Sequence, residues 1–562
     1  MTVDTSSAPL GQRRRSLKAL LQLPLFPRRP ALTHTAIALG RCPLPSGPRI
    51  SLPEDLLHEI LQELTPADIL NLSLASSHLR ATLAPELYRT MHLRSSGACE
   101  TGLRLLLRRP DLCAHVRKLA LRPNYYLSWP ARDTSISESW VASMLCSIAP
   151  SLTNLRTFDW DGSEMAPNAL WLTLRQSCPE LKELYSNVGS DAIDAESELF
   201  KFSDLALFSL SVRHGVPETS LFPAREDLPK SLWDMLLNRC PDLAELTLCS
   251  FSAGHRTFAL DPVVAGSWPR LTTLTLGAFG YDADFALAGP PPGLPAFLAR
   301  HARVAALRLA WTFRRWMSPD DAAAFAQAAL LPAAAPALAE FAGVVQQLPC
   351  AAAGACAGIT ALDLMCEPLY PARAPALCAA LGGMPALVSL DLWVHVEPDL
   401  DAYRGFMGDL CAAAPGLEDF QFMCTTAFGK KPLTALAYAL RGLPRLKSFA
   451  LTKGHRYTDE SMRASARRVF RAAGAAAPRL ALVSMRWARA ACRNHLKQEG
   501  TYERVGARDG LGARAAAGGS RGRGRGKGKG KAAGHEAAVV EAWERGLRAV
   551  GGAFERRYRF PL

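Results

Sequence analysis

The feature that most constrains this chain is a short apolar phrase that returns between residues 116 and 451. In each copy an aliphatic residue is followed by two further apolar residues, three and five positions later. The last two apolar positions alternate with variable ones, which is the pattern of a strand with one buried face. The well-formed copies are Val116/Leu119/Leu121, Leu243/Leu246/Leu248, Leu271/Leu274/Leu276, Val304/Leu307/Leu309, Ile359/Leu362/Leu364, Leu387/Leu390/Leu392, Leu417/Phe420/Phe422 and Leu446/Phe449/Leu451.

The segment before each copy has a helical apolar pattern, so each unit is predicted to be a helix, a turn and a short strand. A single unit of this kind cannot bury its apolar face, and the units must therefore stack on one another. The phrase and its period of 28 to 30 residues resemble the leucine-rich repeat family in its long, irregular form. The resemblance implies an α/β solenoid over residues 95–485, with parallel strands on its inner face.

Some copies depart from this pattern, and they leave the number of repeats open. The interval from Val304 to Ile359 is close to two periods, which indicates an insertion or a lost copy around the Ala-rich residues 322–357. The weaker copies are Leu152/Leu155/Phe158, Leu181/Leu184, Leu205/Phe208/Leu210 and Leu480/Val483/Met485.

Residues 50–94 have a different pattern, that of several short helices. The apolar residues from Leu56 to Leu64 recur at steps of three and four, which places them on one stripe of a helix. A second helix start follows, with Thr65 as a cap and Pro66 in the first turn. A unit of this size buries too little surface to be comfortably stable alone, so part of its leucine-rich surface is expected to lie against a neighbour.

The string L-P-x-x-L-L-x-x-I-L-x-x-L from Leu52, followed by D-I-L-x-L-S-L-A-S from Asp68, resembles the F-box, the module that docks receptor subunits onto the Skp adaptor of cullin-type ubiquitin ligases. Ala75 stands where many F-boxes have Val, and Tyr88 where many have Trp. A generic helical hairpin inside a larger domain is the alternative. By the resemblance, the residues that bind the adaptor come from Leu52, Pro53, Leu56, Leu57, Ile60, Leu61, Ile69, Leu70 and Leu74, with the division between docking and self-packing left open.

An F-box followed by leucine-rich repeats implies a substrate receptor, in which the solenoid binds a protein client for ubiquitination. Residues between the core leucines would line the inner face, and their mixed aromatic and charged chemistry suits protein recognition. Two tryptophans between the core leucines, Trp311 and Trp393, could instead be buried where irregular repeats meet. The candidates for client binding are Arg308, Trp311, Asp363, Asp391, Trp393 and Gln421.

The net charge of +14 belongs to the two ends of the chain. Residues 1–49 carry +7 and are predicted to be a disordered basic leader, while residues 486–531 carry +10 and residues 532–562 carry +1. The body at 50–485 carries −4 and is near neutral. The low-complexity run at 521–531 is a candidate for weak nucleic-acid contact or for a nuclear signal, which makes a nucleic-acid-associated scaffold the alternative function. Residues 486–562 are predicted to be a basic low-complexity tail, with a short helix at 536–560.

No catalytic motif is present in a suitable context: the chain lacks a P-loop and the H-E-x-x-H pair, and its G-x-S-x-G string at 518–522 belongs to the low-complexity Gly/Arg stretch. The fourteen cysteines show no C-x-x-C pair or ligand spacing, and those before prolines, such as Cys178 and Cys240, are predicted to be core residues in a reducing compartment. No metal, cofactor or membrane span is therefore expected. The hypothesis is a non-enzymatic receptor in the cytoplasm, the nucleus or both.

Overall fold

The structure is a computed structural model of the 562-residue chain. The chain divides into two compact units, Met1–Thr65 and Pro66–Leu562. The basic leader at 1–49 and the run at 521–531 lie outside the described residues. The structure describes residues 54–64, 66–124, 136–189, 191–214, 224–226, 228–252, 256–258, 260–280, 293–311, 335–348, 356–370, 373–395, 401–427, 430–454, 461–474, 476–488, 498–504 and 547–550.

Three short helices lie within residues 50–94, as the apolar pattern of that segment predicted. In the first unit, α1 spans Glu54–Glu63. The second unit begins with α2 (Pro66–Ser73), which starts at the predicted proline, and continues with α3 (Ser77–Tyr88). Ser76 caps α3 because its backbone is extended and its hydroxyl accepts a hydrogen bond from the Leu79 amide at 3.1 Å. The predicted cap Thr65 lies outside the described residues.

The second unit is built on one long sheet, and the predicted α/β solenoid is confirmed. In the described part of the chain, fourteen of its strands are parallel neighbours, and two antiparallel strands, β17 and β18, extend it at the C-terminal end. β6 and β8 pair separately. In chain order the strands are β1 Thr90–Leu93, β2 Lys118–Leu121, β3 Thr157–Trp160, β4 Glu183–Val188, β5 Leu207–His214, β6 Ala224–Glu226, β7 Glu245–Ser252, β8 Arg256–Phe258, β9 Thr273–Gly280, β10 Ala306–Trp311, β11 Glu340–Ala342, β12 Ala361–Leu369, β13 Ser389–Val394, β14 Asp419–Ala427, β15 Ser448–Gly454, β16 Leu482–Ala488, β17 Gln498–Arg504 and β18 Leu547–Val550.

Helices connect successive parallel strands, as a repeat of helix, turn and strand requires. Short 3₁₀ segments follow two of these helices, at Ala149–Ser151 and Leu440–Gly442, and others lie between β4 and β5 (Glu198–Lys201) and between β11 and β12 (Val345–Gln347). The helices are Ser96–Arg108, Pro110–Cys113, Glu138–Ile148, Asn168–Ser177, Lys230–Asp234 with a π turn at Met235–Arg239, Asp261–Ala265, Leu294–Arg300, Ala374–Gly382, Asp401–Ala413, Lys430–Ala439 and Met462–Ala473.

The central apolar residue of each phrase stacks directly on its counterpart in the next strand. These residues are register partners along the parallel ladder, and all of them are buried, so the phrase forms a continuous core that no single unit could make. In order along the sheet they are Leu119, Phe158, Leu184, Phe208, Leu246, Leu274, Leu307, Phe341, Leu362, Leu390, Phe420, Phe449 and Val483.

Two irregular copies differ from the sequence-based prediction. Phe158 pairs with Leu119, so the copy written as Leu152/Leu155/Phe158 begins instead at Leu155, and Leu152 lies in the preceding turn. The Ala-rich stretch retains a strand, β11, whose Phe341 pairs with both neighbours. The sequence hid this copy because Gly343 stands where the third apolar residue is expected.

The sheet also extends beyond both predicted limits of the solenoid. β1 lies inside residues 50–94, yet it pairs in parallel with β2. At the other end β17 and β18 pair antiparallel beyond β16. The prediction of a helix at 536–560 is wrong for its described residues, because Leu547–Val550 form a strand along the edge of β17. An unpaired strand edge offers a row of backbone donors and acceptors, which favours this pairing.

A buried histidine links three successive units in the middle of the sheet. The Nε2 atom of His301 accepts a hydrogen bond from the Trp268 backbone amide at 3.0 Å, so its Nδ1 atom carries the proton and donates to the Phe297 carbonyl at 2.7 Å. The Trp268 indole in turn donates to the Leu236 carbonyl at 2.9 Å. Burial lowers the pKa of His301 below its ordinary value of 6.5.

We predict that His301 makes the repeat body less stable in mild acid. Because its folded pKa is the lower one, the unfolded chain binds the proton more readily below about pH 6.5, and stability falls as the pH drops from there through the folded pKa. The urea midpoint should fall between about pH 7 and about pH 5, and it should fall less in His301→Gln, whose amide does not titrate. Parallel falls in both proteins would contradict this account.

Candidate functional site

The F-box-like helices expose four of the predicted adaptor-binding residues. On α1, Leu56 is 49% exposed and Ile60 is 43% exposed, and their spacing of four places them one above the other on one helix face. Leu57 is buried and Leu61 is half-buried, so the apolar stripe is divided between packing and solvent. The predicted residues Leu52 and Pro53 lie outside the described residues.

The second unit shows the same division at α2. Leu70 is 50% exposed and Leu74, just beyond the helix, is 63% exposed, whereas Ile69 is buried. The Ser73 hydroxyl donates to the Leu70 carbonyl at 2.7 Å and helps to fix the end of this helix. Exposed leucines at this spacing form an apolar patch that the unit does not cover with its own side chains.

Four of the six client-binding candidates form one row across neighbouring strands. Arg308 pairs with Ala342, which pairs with Asp363, and the row continues through Asp391 to Gln421. The row alternates with the buried core ladder and therefore lies on the opposite face of the sheet, as predicted. Trp311 ends β10, and its side chain lies outside the described part of the chain.

Electrostatic contacts hold Arg308 in this row. Its guanidinium lies 3.3 Å from a carboxylate oxygen of Glu340 on the next strand, and only about a fifth of its side chain is exposed. Burial raises the pKa of Glu245, while the charge of Arg308 opposes that rise and the charge of Glu183 adds to it. Arg308 is thus a positioned cation among carboxylates from several strands.

Asp363 is the least accessible candidate of the row. Its side chain is buried, and its carboxylate accepts a hydrogen bond from the Met365 backbone amide at 2.9 Å. This bond is local and helps to fix the backbone where the pairing between β12 and β13 becomes irregular after Leu364. The carboxylate of Asp363 therefore stabilises the local backbone on this face of the sheet.

A second row, two residues further along each strand, contains residues that the sequence prediction missed. Trp393 pairs with Met423, which pairs with Thr452, and the row ends at Arg486. Each of these residues directly follows the last apolar position of a phrase, which is the signal that could have found them. Trp393 was noticed for its ring, whereas Met423 and Thr452 look like ordinary variable positions.

Two side chains of this second row, Trp393 and Thr452, each carry a polar atom with no hydrogen-bond partner among the described residues. The indole nitrogen of Trp393 and the hydroxyl of Thr452 are both buried, and Thr452 is only 6% exposed. A buried donor or acceptor without a partner costs about 1–3 kcal/mol relative to one that is satisfied. We name the residues Asp391, Trp393, Gln421, Met423 and Thr452 the inner strip. It combines an apolar centre with hydrogen-bonding groups, a combination that suits an extended polypeptide.

The cysteines at repeat positions behave as core residues, as predicted. Cys178 and Cys240 are buried before their prolines, and burial raises the pKa of Cys178 to about 12. The thiol of Cys178 is therefore protonated at neutral pH and is a poor nucleophile. Among the described residues, no group of three or more His, Cys, Asp or Glu side chains could hold a metal ion. No helix in the described ranges is long and apolar enough to cross a membrane.

Residues 50–94 match the F-box-like family model. They carry an F-box-like domain, and the parallel ladder that follows it has the architecture of leucine-rich repeats. A comparison with curated proteins found no match to the chain.

Two solved structures show a distant likeness to the chain. One is the leucine-rich repeat-containing protein LegL7 from Legionella pneumophila, at 12% identity and a TM-score of 0.28, covering 64% of this chain and 93% of that one. The other is the Rad7 and Elc1 complex from yeast, at 12% identity and a TM-score of 0.34, covering 77% of this chain and 93% of the matched one.

Proposed function

We propose that the chain is the substrate receptor of a Skp/cullin/F-box ubiquitin ligase. The F-box-like helices dock a Skp-type adaptor and, through it, a cullin, while the solenoid binds a protein client in the cytoplasm or nucleus. The observation that carries the proposal is the exposure of Leu56 and Ile60 on α1, and of Leu70 and Leu74 at α2, within residues 50–94. Partners that cover such side chains gain the free energy of removing them from water.

The role of the receptor in this proposal is positioning, and the transfer of ubiquitin is left to a separate enzyme. Holding the client and the charged conjugating enzyme in one assembly raises their effective concentration and turns a bimolecular encounter into a local one. This role does not require a nucleophile or a general base on the receptor. Its residues need only bind two partners at once.

The inner strip is the proposed client site. Trp393 and Met423 are half-buried and supply apolar contact area. Asp391 and Gln421, which are half-buried in the adjacent row, can bond to the backbone of a bound peptide. Arg308, held by Glu340, is a further cation on the same face. The strip therefore offers an aromatic anchor, donors and charge within a few neighbouring strands.

We predict that the exposed leucines are needed for adaptor binding. Leu70→Gln/Leu74→Gln and, separately, Leu56→Gln/Ile60→Gln should each weaken binding of a purified Skp-type adaptor to the full chain, measured by calorimetry. The loss of two apolar contacts is worth about 2–3 kcal/mol, or roughly 30- to 150-fold in Kd. Thermal unfolding should change little, because all four side chains are exposed.

The matched control for these variants is Leu105→Gln/Leu107→Gln. Leu105 and Leu107 are also exposed leucines on a helix, but they lie outside residues 50–94. This variant should bind the adaptor as the parent does. An equal loss in the control, or full binding by both F-box variants, would remove the basis of the proposal.

We predict that Trp393 separates client binding from adaptor binding. In cells with the proteasome inhibited, Trp393→Ala should still recover the adaptor but lose a set of co-purifying proteins that Leu70→Gln/Leu74→Gln retains. Trp393→Phe keeps an aromatic ring of smaller contact area, so its loss should be intermediate. If Trp393→Ala recovers the same proteins as the parent, the inner strip is not the client site.

A further inference from the structure

The near-neutral charge of the body conceals a reversal of sign along the repeats. Residues 50–429 contain twenty-seven Lys and Arg against forty-one Asp and Glu, a net charge of −14. Residues 430–485 contain twelve Lys and Arg against two Asp and Glu, a net charge of +10. Stacked repeats keep this asymmetry in space, because each unit contacts only its neighbours. The last units of the solenoid are therefore strongly cationic.

Within 430–454, 461–474 and 476–488 the described residues include twelve Lys and Arg and no Asp or Glu. Two of them, Lys453 and Arg486, are buried, and two more, Arg467 and Arg468, are half-buried. The exposed ones are Lys430, Lys431, Arg441, Arg445, Lys447, Arg463, Arg471 and Arg479.

Five of the exposed cations gather where the helices end and the strands begin. The Lys447 amide donates to the Glu418 carbonyl at 2.7 Å, and the Ala481 amide donates to the Lys447 carbonyl at 2.9 Å, so three successive units are joined at this edge. Arg445 and Arg479 stand directly before Leu446 and Leu480, the same place in two stacked phrases. We name Arg441, Arg445, Lys447, Arg471 and Arg479 the basic edge.

The carboxylate of Glu418 lies beside the basic edge, and its electrostatic interactions show that several of these cations are close to one another. The Lys447 ammonium lies 2.5 Å from a Glu418 oxygen. This hydrogen bond lowers the pKa of Glu418, and the charges of Lys447, Arg479 and Arg445 lower it further. Three cations thus act on a single acidic group, which leaves the edge with an excess of positive charge.

An exposed aromatic ring stands among these cations. The Arg441 guanidinium lies 4.7 Å from the ring centroid of Tyr438, which is about half exposed. The Nε atom of Arg441 donates to the Ala472 carbonyl at 2.9 Å, next to Arg471. Ring and guanidinium are therefore fixed in place on the same edge.

We propose that the basic edge binds the phosphate backbone of a single-stranded nucleic acid, with Tyr438 as a platform for one base. Cations that track a backbone and an aromatic ring that stacks a base are the two parts of such a site. An interface with an acidic protein would need an apolar centre. The described residues of 430–488 expose only Tyr438 and Leu482 as large apolar side chains. In the sequence, the thirteen Lys and Arg of 486–531 extend the excess of positive charge beyond these units.

The test compares the full chain with Arg445→Ser/Arg479→Ser in binding a labelled oligouridine of about 20 nucleotides, by anisotropy between about 50 and 200 mM salt. Loss of two phosphate contacts should lower the affinity roughly 10- to 30-fold at about 0.1 M salt and reduce the slope of log K against log salt by about 1.4. Arg445→Lys/Arg479→Lys keeps the charge and should bind nearly as the parent does, which excludes a folding defect.

The matched control is Arg270→Ser/Arg303→Ser. These exposed arginines stand directly before Leu271 and Val304, the same place in the phrase, but in the acidic part of the body. The proposal is overturned if this control loses as much affinity, or if Arg445→Ser/Arg479→Ser loses none. It is also overturned if polyglutamate of equal charge competes as well as the oligonucleotide, because the ligand would then be an acidic protein.

A further variant tests the aromatic platform. Tyr438→Ala should weaken oligouridine binding roughly fivefold or more, since stacking on an aromatic side chain contributes to each bound base. Binding of a duplex DNA, whose bases are already stacked, should be unchanged. An equal loss for the duplex would contradict the assignment of Tyr438 to base stacking.

Discussion

The second unit depends on one constraint, the lateral stacking of apolar side chains that a single repeat cannot bury. Phe158 needs Leu119 on one side and Leu184 on the other, and the same holds for every member of the ladder up to Val483. Parallel pairing keeps these residues in register, because a slip of one residue would turn each core side chain to the opposite face. The phrase survives in irregular copies such as β11 for this reason.

This constraint leaves two kinds of position free to vary, and both carry the surfaces described above. The face opposite the core ladder holds the inner strip, where Trp393 and Thr452 keep buried polar atoms that have no partner among the described residues. The turns between helix and strand hold the basic edge, where Arg445 and Arg479 stand at equivalent places. The helices of 50–94 add the exposed apolar side chains of Leu56, Ile60, Leu70 and Leu74. Client, nucleic acid and adaptor would thus meet different parts of the chain.

The sequence predicted the solenoid well because its core residues are chemically alike and regularly spaced. It failed where the spacing was ambiguous, as at Leu152, which is apolar but lies in a turn, or where Gly343 interrupts the phrase. Exposure could not be predicted within 50–94, because Ile69 and Leu70 are equally apolar and only the packing decides which is buried. Thr452 was missed because nothing in its type distinguishes it from solvated surface.

In the proposed receptor, residues 50–94 recruit an adaptor while the solenoid remains available to a client. Hydrogen–deuterium exchange of the full chain with and without a purified Skp-type adaptor tests this division of roles most directly, since it reports protection along the whole backbone. The account predicts new protection in α1 and α2, around Leu56 and Leu70, and unchanged exchange in β13–β15 along the inner strip. Protection confined to the solenoid, or none within 50–94, would contradict the account.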